Sequence, residues 1–145
     1  MDDFIEKRII EAVQKLLLVK VNDILSNMDF SIPLIEFGKY SGKEIITPHI
    51  NLSTCERNEK ERLIRQDAYS IIITFTLPDT PESELHCYAY SNAVGKAIYD
   101  DPTLGGVADR VVITGKKYVH PVKQHNLAGW ELVISLRITV EEMKK

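Results

Sequence analysis

The sequence has 145 residues, which is the length of about one domain and too short for separate cofactor and substrate lobes. Hydrophobic residues make up 44% and charged residues 27%, and the 7 glycines and 6 prolines are too few for a low-complexity or collagen-like chain. The net charge of −3 lacks the basic excess that marks a broad nucleic-acid-binding surface. We therefore expect one domain over residues 1–145, in an ordinary soluble globular protein.

Cysteine content predicts a reducing compartment, and the N-terminal residues and apolar runs bear on secretion and membrane insertion. Cys55 and Cys87 do not form a Cys-x-x-Cys motif, and two cysteines are too few for a disulfide framework. Residues 1–3 (MDD) are acidic where a signal peptide is basic. The longest aliphatic run, residues 16–19, is far shorter than a membrane span. We expect neither secretion nor membrane insertion.

The N-terminal part of the chain predicts a helix followed by extended segments. Apolar residues spaced by three and four predict an amphipathic helix over residues 3–28. Its expected buried stripe consists of Ile5, Ile9, Val13, Leu16, Leu17, Val21, Ile24 and Leu25. Residues 32–37 predict a short strand, which Pro33 confines to a sheet edge or to a first strand position.

Residues 38–43 predict a turn, and residues 44–52 a second extended segment that Pro48 interrupts. The charged stretch 56–62 (ERNEKER) is interpreted as an exposed hairpin tip. Alternation of apolar and polar residues over 69–77 then predicts a strand.

A second helix is predicted to begin near Pro81 and to run to Tyr99, with Asp79 or Thr80 as its cap. Its expected buried stripe consists of Leu85, Tyr88, Ala89, Val94, Ala97 and Ile98. Residues 100–106 end this helix in a turn, where the pair Gly105 and Gly106 predicts positive φ angles.

The last part of the chain predicts two further strands. One runs from Val107 towards Val119, a loop follows over residues 121–129, and the final strand covers residues 130–140. In the final strand, six large apolar residues share one face, so that a one-residue slip would expose all of them. They are Trp130, Leu132, Ile134, Leu136, Ile138 and Val140.

This order of elements predicts an α+β fold: an antiparallel or mixed sheet of four to five strands with two helices packed on one face. The opposite face of the two clearest strands carries only two aliphatic residues, Ile72 and Val133, at its nine alternating positions. We expect this face to contact water or to line a wet channel.

The sequence predicts no catalytic, cofactor or metal site. The histidines lie at positions 49, 86, 120 and 125, and His120 and His125 share a loop, but no third metal ligand is indicated. The pair Asp100 and Asp101 is interpreted as a helix end, and Cys87 as a packing residue. The glycine pair at 105–106 precedes a strand and lacks the Gly-x-Gly-x-x-Gly pattern of a dinucleotide-binding turn.

Two basic clusters have alternative interpretations as solvated surface or as contacts to a neighbouring subunit. In the first, residues 56–65, lysines and arginines alternate with Glu56, Glu59 and Glu61, so that the local charge nearly cancels. Mixed charge at an interface rim determines register and partner choice more than affinity. The second comprises Lys116, Lys117 and Lys123. The candidate subunit and tube interface residues are Arg57, Lys60, Arg62, Arg65, His120, Lys123 and His125.

The segment from Ala97 to Val140 resembles a known family. It contains AIYDDPTLGGVAD at 97–109, VVIT at 111–114, Tyr118, Gly129 and a closing amphipathic strand. This segment is similar to the C-terminal half of the tail terminator and minor tail proteins of tailed bacteriophages (siphophages and myophages). The rest of the chain resembles them in length and in the order of helices and strands.

The resemblance implies a structural virion protein that forms a ring, commonly a hexamer, on the end of the tail tube. The ring would terminate tail polymerisation, offer a head-joining surface and let DNA pass transiently. The implied partners are other copies of the chain, the tail tube protein and the head–tail connector protein, with no membrane, no cofactor and no enzymatic reaction. The implied location is the virion tail, and the bacterial host cytoplasm during assembly. Residues 38–43, 55–65 and 121–129 are the loops expected to make the contacts.

Three alternatives remain at this point. Neck and head-completion proteins of a phage or prophage share similar features. A small metal-dependent hydrolase would use His120, His125 and an acidic partner. A housekeeping binding module would have no connection with phage tails.

Overall fold

The computed structural model describes residues 4–38, 45–61, 64–122 and 129–143. The first helix consists of three continuous segments: α1 (Ile5–Leu16), a π-helical turn (Leu17–Val21) and α2 (Asn22–Ser26). The predicted stripe is confirmed, because six of its eight residues are buried and the other two, Ile5 and Ile24, are half-buried. The buried positions after Leu17 recur every four residues, and the wider π-helical turn keeps this spacing on one side of the helix.

The second helix, α3 (Ser83–Asp100), begins later than the sequence predicted. Pro81 lies in a turn before the helix, in which the hydroxyls of Thr80 and Ser83 are hydrogen-bonded at 2.9 Å. None of the helices in the described ranges is long and apolar enough to cross a membrane.

The predicted buried stripe of α3 was partly wrong. Leu85 and Tyr88 are exposed, whereas Ala89, Val94, Ala97 and Ile98 are buried as predicted. The additional buried residues are Ser83, Cys87, Tyr90, Ser91 and Ala93. Small residues occur on several sides of this helix, so periodicity permits more than one buried face. The face is decided by Tyr90, whose ring stacks on Phe75 with 4.9 Å between ring centroids.

The described part of the chain contains six strands, four before α3 and two after it. Two residues each form β1 (Leu34–Ile35) and β2 (Ile45–Ile46), which pair in parallel as a small separate sheet. The main sheet is antiparallel, with the order β3-β4-β6-β5. Its strands are β3 (His49–Glu61), β4 (Ile64–Pro78), β5 (Arg110–Val119) and β6 (Gly129–Met143). The predicted α+β class is confirmed.

The core lies between the main sheet and both helices, which pack on the same sheet face as predicted. The central strands β4 and β6 pair along 15 residues each, and Ile71 lies opposite Leu136 at the middle of the ladder. All six apolar residues predicted for the inner face of β6 are buried. The register follows from this pattern, since a shift of one residue would turn every one of them to the other face.

The charged stretch is part of a strand, which corrects its interpretation as a hairpin tip. Residues 56–61 belong to β3, where Glu56 lies opposite Ala68 and Arg57 lies opposite Asp67. Charged residues fit a strand here because β3 is at the sheet edge and residues 51–59 are all exposed. Residues 62–63, between β3 and β4, lie outside the described residues.

The turn between α3 and β5 confirms the prediction of positive φ angles, with +67° at Gly105 and +93° at Gly106. Leu104 also adopts a positive φ of +51°, while its side chain is buried. The carboxylate of Asp101 accepts a hydrogen bond of 3.0 Å from the Gly105 N–H. The Val111 N–H donates to the Pro102 carbonyl at 2.8 Å, which ties the start of β5 to this turn.

The segment that contains β1 is tied to both helices. The side chain of Asn22 donates to the Ile35 carbonyl at 2.8 Å and accepts from the Ile35 N–H at 2.7 Å. The Tyr90 hydroxyl donates to the Pro33 carbonyl at 2.6 Å. Two of these bonds satisfy the N–H and carbonyl of Ile35, on the side of β1 that does not face β2. The third satisfies the carbonyl of Pro33, directly before the strand.

We expect Asn22→Ala to lower the free energy of unfolding by about 1.5 kcal/mol, because two part-buried backbone groups of Ile35 lose their partner. Urea unfolding followed by circular dichroism measures the change. Asn22→Asp is the matched variant: it keeps the acceptor for the Ile35 N–H but sets a carboxylate oxygen against the Ile35 carbonyl oxygen, with no proton between the two acceptors. We therefore expect a loss at least as large as for alanine. An alanine variant as stable as the original protein would contradict this role.

Candidate subunit interface

The outer face of the main sheet, defined as the side away from the helices, is partly apolar. Ile72 of β4 and Val133 of β6 lie on it, as the sequence predicted, and both are half-buried. Strand β5 adds Val112 and Val119, which are also half-buried. Within the described ranges, both helices pack on the opposite side of this sheet. The outer face thus combines aliphatic side chains with charged ones, since Lys117 lies opposite Val133 and Arg137 lies opposite Val112.

A second surface lies on the helix side and is called here the aromatic patch: Leu85, Tyr88 and Tyr118. The three residues are 52%, 41% and 37% exposed. The rings of Tyr88 and Tyr118 meet edge to face with centroids 5.7 Å apart. The Tyr118 hydroxyl is 2.7 Å from the Ser91 Oγ, which fixes β5 against α3. Rigid exposed aromatic residues are enriched in protein interfaces.

Hydrogen bonding also holds the other ring of the patch. The Tyr88 hydroxyl donates to the Glu84 carboxylate at 3.0 Å, and this bond raises the pKa of Tyr88 above its ordinary value. Sequence reasoning missed the patch, because it placed Leu85 and Tyr88 in the buried stripe. The sequence also permits a second buried stripe through Cys87, Tyr90 and Val94. Choosing that stripe would have placed Leu85 and Tyr88 on the exposed side of the helix.

Two of the predicted interface residues take part in an ion cluster within the chain. Arg57 Nε lies 2.9 Å from Asp67 Oδ1, and Arg65 Nε lies 3.6 Å from Asp67 Oδ2. The Asp67 side chain is only 7% exposed. The bond to Asp67 also raises the pKa of Arg57, which keeps the guanidinium charged. These three residues therefore stabilise the free end of the β3–β4 hairpin.

Of the remaining predicted interface residues, the described structure places His120. His120 is exposed, with its ring 4.3 Å from the ring of Trp130, centroid to centroid. The side chain of Lys60 lies outside the described residues, as do Arg62, Lys123 and His125. Of the second basic cluster, Lys116 donates to the Ser91 carbonyl at 3.1 Å and so packs against α3.

The thiol of Cys87 lies in the core beneath α3. Burial raises the pKa of the Cys87 thiol to about 11, so it is protonated at neutral pH, while the reactive form of cysteine is the thiolate. The interpretation of Cys87 as a packing residue agrees with its complete burial. Across the described ranges, no three or more histidine, cysteine, aspartate or glutamate residues are placed to hold a metal ion.

Two open grooves border the helices. The larger, of about 930 Å³, lies between α2, α3 and the β1–β2 pair. Ser83 and His86 line it, but the Ser83 hydroxyl is hydrogen-bonded to Thr80 and the His86 ring stacks on Phe30. The smaller, of about 640 Å³, lies between the first helix and the turn at 101–107.

No family model matches this sequence, and no curated protein matches it at a significant level.

Proposed function

We propose that the protein is a structural subunit that assembles with copies of itself into a ring on the end of a phage tail tube. One observation carries the proposal: two different partly apolar surfaces, the outer face and the aromatic patch, lie on opposite sides of one rigid sheet. A contact between different surfaces of identical subunits is head-to-tail, and it produces a ring when the rotation closes.

In this arrangement the outer face of one copy packs against the aromatic patch of the next. Ile72 and Val133 supply aliphatic contact area, and Leu85, Tyr88 and Tyr118 supply the large side chains that commonly dominate interface energy. Closure consumes both surfaces of every subunit and leaves two distinct ring faces. One ring face would match the tube, and the other would meet the head without recruiting more tube protein.

The charge of the chain supports a passive channel for DNA. Each copy has a net charge of −3, so a ring of copies is negatively charged as a whole. Negative charge disfavours tight contact with phosphates, because binding to the DNA backbone depends on neutralisation by lysine and arginine. DNA would therefore slide through such a ring without being held.

Electron microscopy of the concentrated protein, with and without tail tubes, tests the proposal. We expect annuli, or caps on tube ends, and we expect Leu85→Glu and Val133→Glu each to abolish them, since each places a charge in one of the two contacting surfaces. Tyr99→Glu is the control, because Tyr99 is 85% exposed near the other end of α3. It should leave ring formation unchanged.

Mixing the two glutamate variants sharpens the test. Each retains the surface that the other has lost, so a mixture can form one intact contact of this kind per pair of subunits and should form no closed ring. Rings in either single variant would remove that surface from the contact. Failure of the original protein to form annuli alone or to cap tubes would reject the proposal, and binding to connectors without binding to tubes would favour a neck protein.

A further inference from the structure

Strand β3 presents an unusually long edge. It has 13 residues, lies at one end of the strand order and pairs with β4. Its register has irregularities between Leu52 and Thr54 and between Glu59 and Glu61. The ladder from Thr54 to Glu59 is regular. An exposed regular edge is a template for pairing with another strand, and proteins usually protect it with charges or bulges.

The charges on this edge form a self-complementary pattern. Residues 56–60 read Glu, Arg, Asn, Glu, Lys, so that reversing the order exchanges acidic for basic residues around Asn58. If two copies of this segment run antiparallel about Asn58, Arg57 lies opposite Glu59 within the regular part of the ladder. Glu56 lies opposite position 60, which falls in the irregularity between Glu59 and Glu61. Opposite charges at paired positions stabilise neighbouring strands, and like charges destabilise them.

We propose that β3 of one copy pairs antiparallel with β3 of a second copy, about a two-fold axis at Asn58. The occupant of this edge is thus the same chain. A strand with a different order of charges would place like charges opposite each other on this edge. The reversed copy of this pattern places opposite charges there.

The register of the pairing is specific. An axis at residue 57 would set Arg57 opposite Arg57 of the second copy. An axis at residue 59 would set Glu59 opposite Glu59 of the second copy. Only the axis at Asn58 avoids a like-charge pair among these three positions. A two-fold axis through paired residues also keeps the helices of both copies on the same side of an eight-stranded sheet.

The intrachain contacts of Arg57 and Glu56 leave room for the second copy. Arg57 remains 59% exposed although it is paired with Asp67, and a guanidinium offers five donors in a fork. Glu56 Oε2 lies 3.8 Å from Arg137 Nη2, with both side chains well exposed. A pair of this kind contributes little to stability and is readily shared with a further cation.

This contact is independent of the proposed ring, because the two differ in symmetry. An isologous contact joins the same patch on both copies and stops at a dimer, whereas the ring requires two different surfaces. Loss of the ring with Leu85→Glu would leave the β3 contact intact. The two proposals can therefore fail separately.

Sedimentation of charge variants tests the pairing. In a Leu85→Glu background, in which the ring contact is removed, we expect the protein to dimerise with rising concentration. Glu56→Lys and Lys60→Glu, each added to this background, should weaken dimerisation about tenfold, because each creates two like-charge pairs. An equal mixture of these two variants should restore the dimer, since each substituted side chain then faces an opposite charge on the other variant. A monomeric mixture, or dimers in each single variant at the original strength, would overturn the proposal.

Crosslinking tests the position of the axis. In a Cys55→Ser background, Asn58→Cys places the two new thiols directly opposite each other, within the Cα separation of roughly 4.4–6.8 Å that a disulfide requires. We expect rapid oxidation to a covalent dimer. Thr54→Cys is the matched control on the same edge, where the two thiols would lie far apart. Equal crosslinking of both variants, or none at position 58 in a folded protein, would contradict the inference.

Discussion

Replacing Gly129 by alanine is expected to lower the free energy of unfolding by about 3 kcal/mol. Gly129 begins β6 opposite Pro78, and an added Cβ would overlap the carbonyl oxygen of Leu77. The same Cβ would lie 3.2 Å from the Leu77 carbonyl carbon. Backbone atoms in a ladder cannot turn aside as a side chain can, so the central strand pair would have to separate at this end.

The sign of the effect makes this test informative. Glycine to alanine usually stabilises a protein slightly where the backbone permits it, because the unfolded chain loses freedom. Gly115→Ala in β5 is the matched control: nothing lies within 4 Å of its added Cβ, so we expect a change within about 0.5 kcal/mol. Urea unfolding of both variants measures the difference. Equal stability of the two would contradict the close approach at Leu77.

Removal of the buried carboxylate in Asp67→Ala is expected to cost about 2 kcal/mol. Breaking a fully buried ion pair costs about 3–5 kcal/mol, but Arg57 and Arg65 are partly exposed and regain water when Asp67 is lost. The loss should be local. Hydrogen exchange should accelerate most at the hairpin end, where β3 pairs with residues 64–67 of β4.

Two further variants separate charge from shape. Asp67→Asn keeps the size of the side chain and an oxygen acceptor, so we expect about half the loss of the alanine variant. Asp29→Ala removes an exposed aspartate and should change stability by less than about 0.5 kcal/mol. Uniform acceleration of exchange across the whole sheet in Asp67→Ala would show that the ion cluster is not a local support.

Strong periodicity made much of the fold predictable. The alternation over 69–77 and 130–140 predicted the two central strands, which are buried on one face and lie beside each other. The stripe of the first helix was equally clear, because large aliphatic residues occupy one side. In all three elements the side-chain pattern permits a single buried face.

Elsewhere the pattern was weaker, and the prediction failed accordingly. Helix α3 carries small residues on several sides, and only the stacking of Tyr90 on Phe75 decides that Leu85 and Tyr88 point outwards. The charged residues 56–61 were interpreted as a hairpin tip. An edge strand that is exposed to solvent on both faces has no alternation of apolar and polar residues, so the sequence does not identify it as a strand. The positions of Ile72 and Val133 on the outer face were predicted, although that face was expected to contact water or a wet channel and not another subunit. The aromatic patch was not predicted.

The sequence by itself determined the α+β class, the buried faces of the first helix and of the central strands, and the turn at Gly105 and Gly106, because each depends on local periodicity or backbone freedom. Tertiary structure alone decided the orientation of α3, the clamp of Asn22 on Ile35 and the pairing of Arg57 with Asp67. These features join residues far apart in the chain, and their energies depend on contacts that no short window of sequence contains.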